Sequence, residues 1–143
     1  MRRCTLEGRM TDFVQVGDKG RSEFERLLAE RLPEVAAEMG DFERGLLHLE
    51  MAVLARATCR AIEADDLHQI QSHVEFVDGL FSNAGPALEN AVYVSYLENV
   101  FLGSQDPRYV SARAMLSGRL QNALAELEAH WKDIAEWQAR QGR

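Results

Sequence analysis

The order of apolar and polar positions divides the chain at Gly20. Before it, "TDFVQVGDKG" alternates weakly and ends in a glycine-rich turn, which predicts a short irregular or strand-like arm over residues 1–20. After it the period is helical, and residues 21–143 read as one all-α bundle of about five helices. Ser22 and Glu25 make an S-x-x-E capping box that opens "SEFERLLAERL", Pro33 ends or kinks that helix, and "EVAAEMG" continues it as far as Gly40. Asp41 is the expected cap of a long second helix, "FERGLLHLEMAVLARATCRAIEA", in which Leu47, Met51, Leu54, Thr58 and Ala61 recur at helical spacing.

Asp65 and Asp66 supply a cap and a favourable charge to the third helix, whose stripe of Leu67, Ile70, Val74, Val77 and Phe81 is the clearest in the chain. Gly85 before Pro86 marks a stop followed by a start, and the fourth helix then runs to Gly103. Asp106 and Pro107 open the last segment, which uninterrupted to Arg140 would extend roughly 50 Å at 1.5 Å per residue. A bend at Ser117 and Gly118, or a projecting C-terminal half, is therefore expected. Leu120, Leu124, Leu127, Trp131 and Ile134 alternate spacings of four and three, as in a coiled-coil seam, with Trp137 one turn further on. The seam either packs within the bundle or forms a homodimer interface.

The fourth helix, "YVSYLENVFLG" at its end, is apolar on nearly every side of a wheel drawn at about 100° per residue. Such a helix is expected in the centre of a fold, with Ser95, Glu98 and Asn99 forming a core polar network. A lone buried carboxylate is costly, so Arg56, Arg60 or Arg113 is the expected partner of Glu98.

Composition narrows the function classes. At 143 residues, 46% hydrophobic and 27% charged, the chain has the make-up of a globular domain. It has neither a membrane-spanning apolar run nor an apolar signal segment behind the N-terminal arginines, so a soluble, cytoplasmic protein is expected. Cys4 and Cys59 are too few for a disulfide framework and read as free thiols. The net charge of −7, with fourteen Arg and two Lys scattered along the chain, argues against nucleic-acid binding and suits a basic protein partner.

Catalytic patterns fail on spacing. "VGDKGRS" lacks the G-x-x-x-x-G-K-[ST] of a phosphate loop, and Lys19 precedes the second glycine. His48, His68, His73 and His130 make no H-E-x-x-H and no Cys partnership at metal spacing, so neither metal nor cofactor is expected. Glu-x-x-His pairs of a di-iron bundle are missing, as is a nucleophile elbow, and the chain is read as a non-enzyme.

One resemblance adds to this reading. "DDLHQIQSHVEFVDGLFSNAGPALENAV" followed by "YVSYLENVFLG" resembles a family of short, uncharacterised bacterial helical proteins. In these a helix of the L-x-x-I-x-x-x-V-x-x-V kind precedes a V-S-[FY]-L-E-N signature, here Val94, Ser95, Tyr96, Leu97, Glu98 and Asn99. The similarity spans Leu46 to Gly103, and some members look like immunity proteins that accompany secreted toxins. It implies an inhibitor that covers a toxin's active site. The candidate contact residues are Glu63, Asp65, Asp66 and Asp78, with Trp131 and Trp137 as apolar anchors. The alternatives are a homo-oligomeric scaffold, or a small helical ligand-binding protein or enzyme using Glu98, Tyr96 and a histidine in a pocket.

Overall fold

A computed structural model describes residues 22–142, and the expected arm over residues 1–20 lies outside them. Every regular element among the described residues is helical, as the periodicity predicts. The chain divides into two compact units between Val53 and Leu54, inside the helix α3 (Leu47–Glu63).

In the first unit, Ser22 caps α1 (Glu23–Arg31) by accepting a hydrogen bond from the Glu25 N–H. Leu32 separates α1 from α2 (Pro33–Ala36), because Pro33 cannot donate back to the preceding turn but fits a first helical position. Phe24, Leu28, Leu32, Val35, Met39 and Met51 are buried. The long second helix begins five residues later than the apolar pattern suggests. Gly45 takes φ +88°, a left-handed conformation open to glycine and strained for other residues, and so breaks "FERGLL" into turns. Asp41 accordingly pairs with Arg44 at 2.8 Å within that loop instead of capping a helix.

In the second unit, Asp66 caps α4 (Leu67–Ser82), accepting from the Gln69 N–H, after Asp65 makes a left-handed turn at φ 56°. Ile70, Val74 and Val77 of the predicted stripe are buried, while Leu67 in the first turn is 62% exposed. Gly85 and Pro86 start α5 (Pro86–Ala91), which runs on through a π-helical stretch, Val92–Leu97, into a short α6 (Glu98–Val100). Gly103, at φ +75°, follows the end of this helix. Asp106 caps α7 (Pro107–Arg113), and Ser117 caps α8 (Gly118–Gln141). The break expected at Ser117 and Gly118 is thus present, leaving α8 with 24 residues and a length of roughly 36 Å.

The π stretch changes which side chains face the core. Glu98 donates its backbone N–H to the Tyr93 carbonyl, an i→i−5 bond that makes a turn wider than the 3.6 residues of an α-helix. Val92, Ser95, Tyr96 and Leu97 are buried along with Val100 and Phe101. Asn90, Val94, Glu98 and Leu102, spaced by four, are half-buried or exposed. The helix therefore has an open face that a wheel drawn at α periodicity conceals.

Candidate functional site

Two polar systems stand out in the second unit, one closed and one open. The closed one joins α3, α4 and the π stretch. The Thr58 hydroxyl lies 3.0 Å from the Leu54 carbonyl, 2.9 Å from His73 Nδ1 and 2.9 Å from the Tyr96 hydroxyl. A hydroxyl has one hydrogen, and here it goes to the Leu54 carbonyl. Thr58 then accepts from both neighbours, which places a hydrogen on His73 Nδ1. All three side chains are buried, and burial pushes the Tyr96 phenol well above its ordinary range. The network locks three helices together without reaching solvent.

The open system is a groove of about 460 Å³ between the helix of Asn90, Tyr93, Val94 and Glu98 and the face of α8 bearing Glu126, Leu127, His130 and Trp131. The π stretch packs on α8 and turns Val94 and Glu98 towards this space. Trp131 Nε1–H donates to Glu98 Oε2 at 2.9 Å, and the Tyr93 hydroxyl donates to Glu126 Oε1 at 2.9 Å. Tyr93 is further held edge-on by Phe81 of α4, ring centres 5.7 Å apart. Partial burial, then the bond to Glu126 and the nearby carboxylate charges, push the Tyr93 phenol up to about 12. His130 meets Trp131 edge-on at 6.2 Å.

These positions correct the expectation for Glu98. It is half-buried, not buried, and its partner is the Trp131 indole in place of an arginine. Arg113 is committed elsewhere, to Glu128, by bonds of 2.5 and 2.7 Å, and Arg56 is exposed. Ser95 is buried, whereas Asn99 is exposed and donates its amide to the Ser95 carbonyl, 3.0 Å away. The physical cause is the extra residue in the π turn, which turns Glu98 out of the arc that the buried side chains occupy. Tyr96 and His73 belong to the closed network, so the groove brings Glu98 together with His130 and not with them.

The remaining candidates lie outside the groove. Glu63 is exposed, accepts from the Tyr109 hydroxyl at 2.7 Å, and gives its carbonyl to Arg108. Asp65 is exposed, and Asp66 is half-exposed as the cap of α4. Asp78 is engaged by the Ser117 hydroxyl at 2.7 Å and by Arg119 at 3.2 Å. Those two bonds, the Ser117 one foremost, hold its carboxyl below the usual range. Trp131 is 43% exposed and Trp137 55%. The α8 seam is buried only as far as Leu127, with Ile134 half-buried and the residues around it open. Tyr93 and Glu126 escaped the sequence reading, because their partnership crosses 33 residues.

Cys59 is a free, half-buried thiol whose ionisation burial opposes. Among the described residues no group of three or more His, Cys, Asp or Glu is placed to hold a metal ion. None of the described helices is long and apolar enough to cross a membrane.

Fold and site together define an all-α protein with an aromatic and carboxylate groove open on one flank. Residues 25–132 match the family described as domain of unknown function DUF7674, and the chain belongs to that family. No curated protein and no solved structure matches it.

Proposed function

We propose that this chain is a non-catalytic protein-binding module of the immunity type, which neutralises a bacterial toxin in the cytoplasm by covering its active site. The observation that carries the binding part is the state of α8 beyond Leu127. There the coiled-coil seam continues through Trp131 and Trp137, 43% and 55% exposed, after its buried part has ended. Large aromatic side chains exposed beside carboxylates are the anchors that protein interfaces use. The net charge of −7 suits a basic partner surface, such as one built around phosphates or acidic substrates. The immunity part is supported by the V-S-Y-L-E-N spelling of Val94 to Asn99, whose Glu98 and Val94 line the groove.

The test is affinity capture from the host lysate, identification of the bound protein, and assay of its activity with and without this chain. A captured toxin domain whose activity is suppressed, with capture lost in Trp131→Ala, Trp137→Ala, supports the reading. Recovery of further copies of this chain alone, with a doubled mass in solution, replaces it with the homo-oligomeric scaffold. A partner that binds without losing activity leaves a binding module and removes the immunity role.

A further inference from the structure

We propose that the groove between the π stretch and α8 receives an arginine side chain of the partner protein. This rests on the protein-binding reading and names the group recognised.

Glu98 and Glu126 face the same groove from two different elements. Each has one oxygen held by a neutral donor, the Trp131 indole N–H and the Tyr93 hydroxyl respectively. Neither forms an ion pair among the described residues. Where carboxylates of this unit do form ion pairs the partner is an arginine: Asp78 with Arg119, Asp106 with Arg108 and Glu128 with Arg113. Glu126 and Glu128 are two residues apart on α8, yet an arginine compensates only Glu128.

Among the described residues nothing donates to the remaining oxygens of the two carboxylates, and the groups that orient them are aromatic. A guanidinium matches both features: its planar fork presents several N–H donors to carboxylates, and its weakly hydrated face stacks on indole or phenol rings. A lysine ammonium is a compact, strongly hydrated charge and uses the ring faces less well. Val94 and Leu127 add apolar lining against which the methylene stem of an arginine can lie. An anionic guest is disfavoured, since two carboxylates and, among the described residues, no lysine or arginine line the groove. The π turn is what makes the arrangement available, because it points Val94 and Glu98 the same way.

The direct test follows the two tryptophan indole N–H resonances of the full chain by NMR during titration with N-acetyl-arginine-N-methylamide. The neutral isostere N-acetyl-citrulline-N-methylamide is titrated in parallel. A saturable shift of Trp131 with arginine, at least tenfold weaker with citrulline and at least tenfold weaker in Glu98→Gln, Glu126→Gln, supports the site. Trp137→Ala assigns the two resonances by removing one of them. Equal responses to the two probes, no saturable response, or an undiminished response in the double variant overturns it.

The captured partner separates this inference from the reading beneath it. If the partner binds the double variant as tightly as wild type, the arginine site fails while protein binding stands. If arginine binds but no protein is captured, the protein source is overturned in favour of a free guanidino compound.

Discussion

Glu25 and Glu50 in the first unit, and Glu98 and Glu126 in the second, are four carboxylates placed in opposite circumstances. Glu25 is 1% exposed and Glu50 is fully buried, and every oxygen of both has a donor. Arg44 reaches Glu25 through Nε at 3.1 Å and Nη2 at 3.0 Å. The Ser22 hydroxyl donates to Glu50 Oε1 at 2.8 Å, and the Gly45 N–H donates to Oε2 at 2.9 Å. Glu98 and Glu126 each have one oxygen engaged by a neutral donor, and neither forms an ion pair among the described residues. A buried carboxylate without its donors would cost several kcal/mol, so the first pair is committed to holding loop and helices together. The second pair tolerates an open coordination because Glu98 is half-buried and Glu126 exposed, within reach of solvent that a partner can displace.

The comparison breaks most visibly if the buried pair proves dispensable. Ser22 caps α1 and donates to Glu50, so Ser22→Ala removes a helix cap and orphans a buried carboxylate oxygen. The expected loss is about 3 kcal/mol, the sum of a typical cap and a buried unsatisfied acceptor. Urea unfolding measures it, and a loss below about 1 kcal/mol would show that water reaches Glu50.

Thr58→Val comes next. It keeps the shape of the side chain while leaving the Tyr96 hydroxyl and His73 Nδ1–H without their shared acceptor inside the core. A loss of about 2 kcal/mol is expected. The double variant Thr58→Val, Tyr96→Phe should recover part of it, because one of the orphaned donors is then gone. A double variant less stable than the single one would show that the Tyr96 hydroxyl has another role.

Much of this architecture was legible in the sequence, for a local reason. Ser22, Asp66, Asp106 and Ser117 accept from backbone N–H groups two or three residues on, and Pro33, Pro86 and Pro107 occupy first turns. Such signals need no knowledge of the tertiary fold. The late start of α3 was encoded at Gly45, but the apolar run around it hid the breaker, and the donor role of its N–H towards Glu50 is a tertiary fact. Glu25 looked like half of a capping box. Its backbone N–H does meet Ser22, while its side chain is taken by Arg44, 19 residues away. The groove was least legible, because the i→i−5 bond of the π turn is chosen by packing and no residue type announces it.

Acid should weaken the second unit through carboxylates that are paired but not fully buried. The Ser117 hydroxyl and then Arg119 hold Asp78 below its ordinary range, and Arg113 does the same for Glu128. A carboxyl depressed in the folded state stabilises above its unfolded pKa and loses that contribution as pH falls through the folded one. The melting temperature is therefore expected to decline from about pH 5 downward, starting near the unfolded carboxylate values. Asp78→Asn should flatten the decline, since it removes one of the titrating groups. An identical acid limb in the variant would place the linkage in other carboxylates.

The smallest effect on stability is expected at the groove, and it decides whether the open carboxylates belong to folding or to recognition. Glu98→Gln keeps an amide oxygen able to accept from Trp131 Nε1–H, and the site is already half open to water. Stability should change by less than about 0.5 kcal/mol, the range for surface positions without a special role. Glu98→Ala should cost under about 1 kcal/mol, since one hydrogen bond at an exposed position is lost and no buried charge is orphaned. The same two variants, assayed for association with the captured partner at low and high salt, should bind more slowly, and wild-type binding should weaken as salt rises. If Glu98→Ala instead melts as early as Ser22→Ala while binding is undisturbed, Glu98 acts in the fold as Glu50 does, and Trp131 and Trp137 are left as the contacts to test.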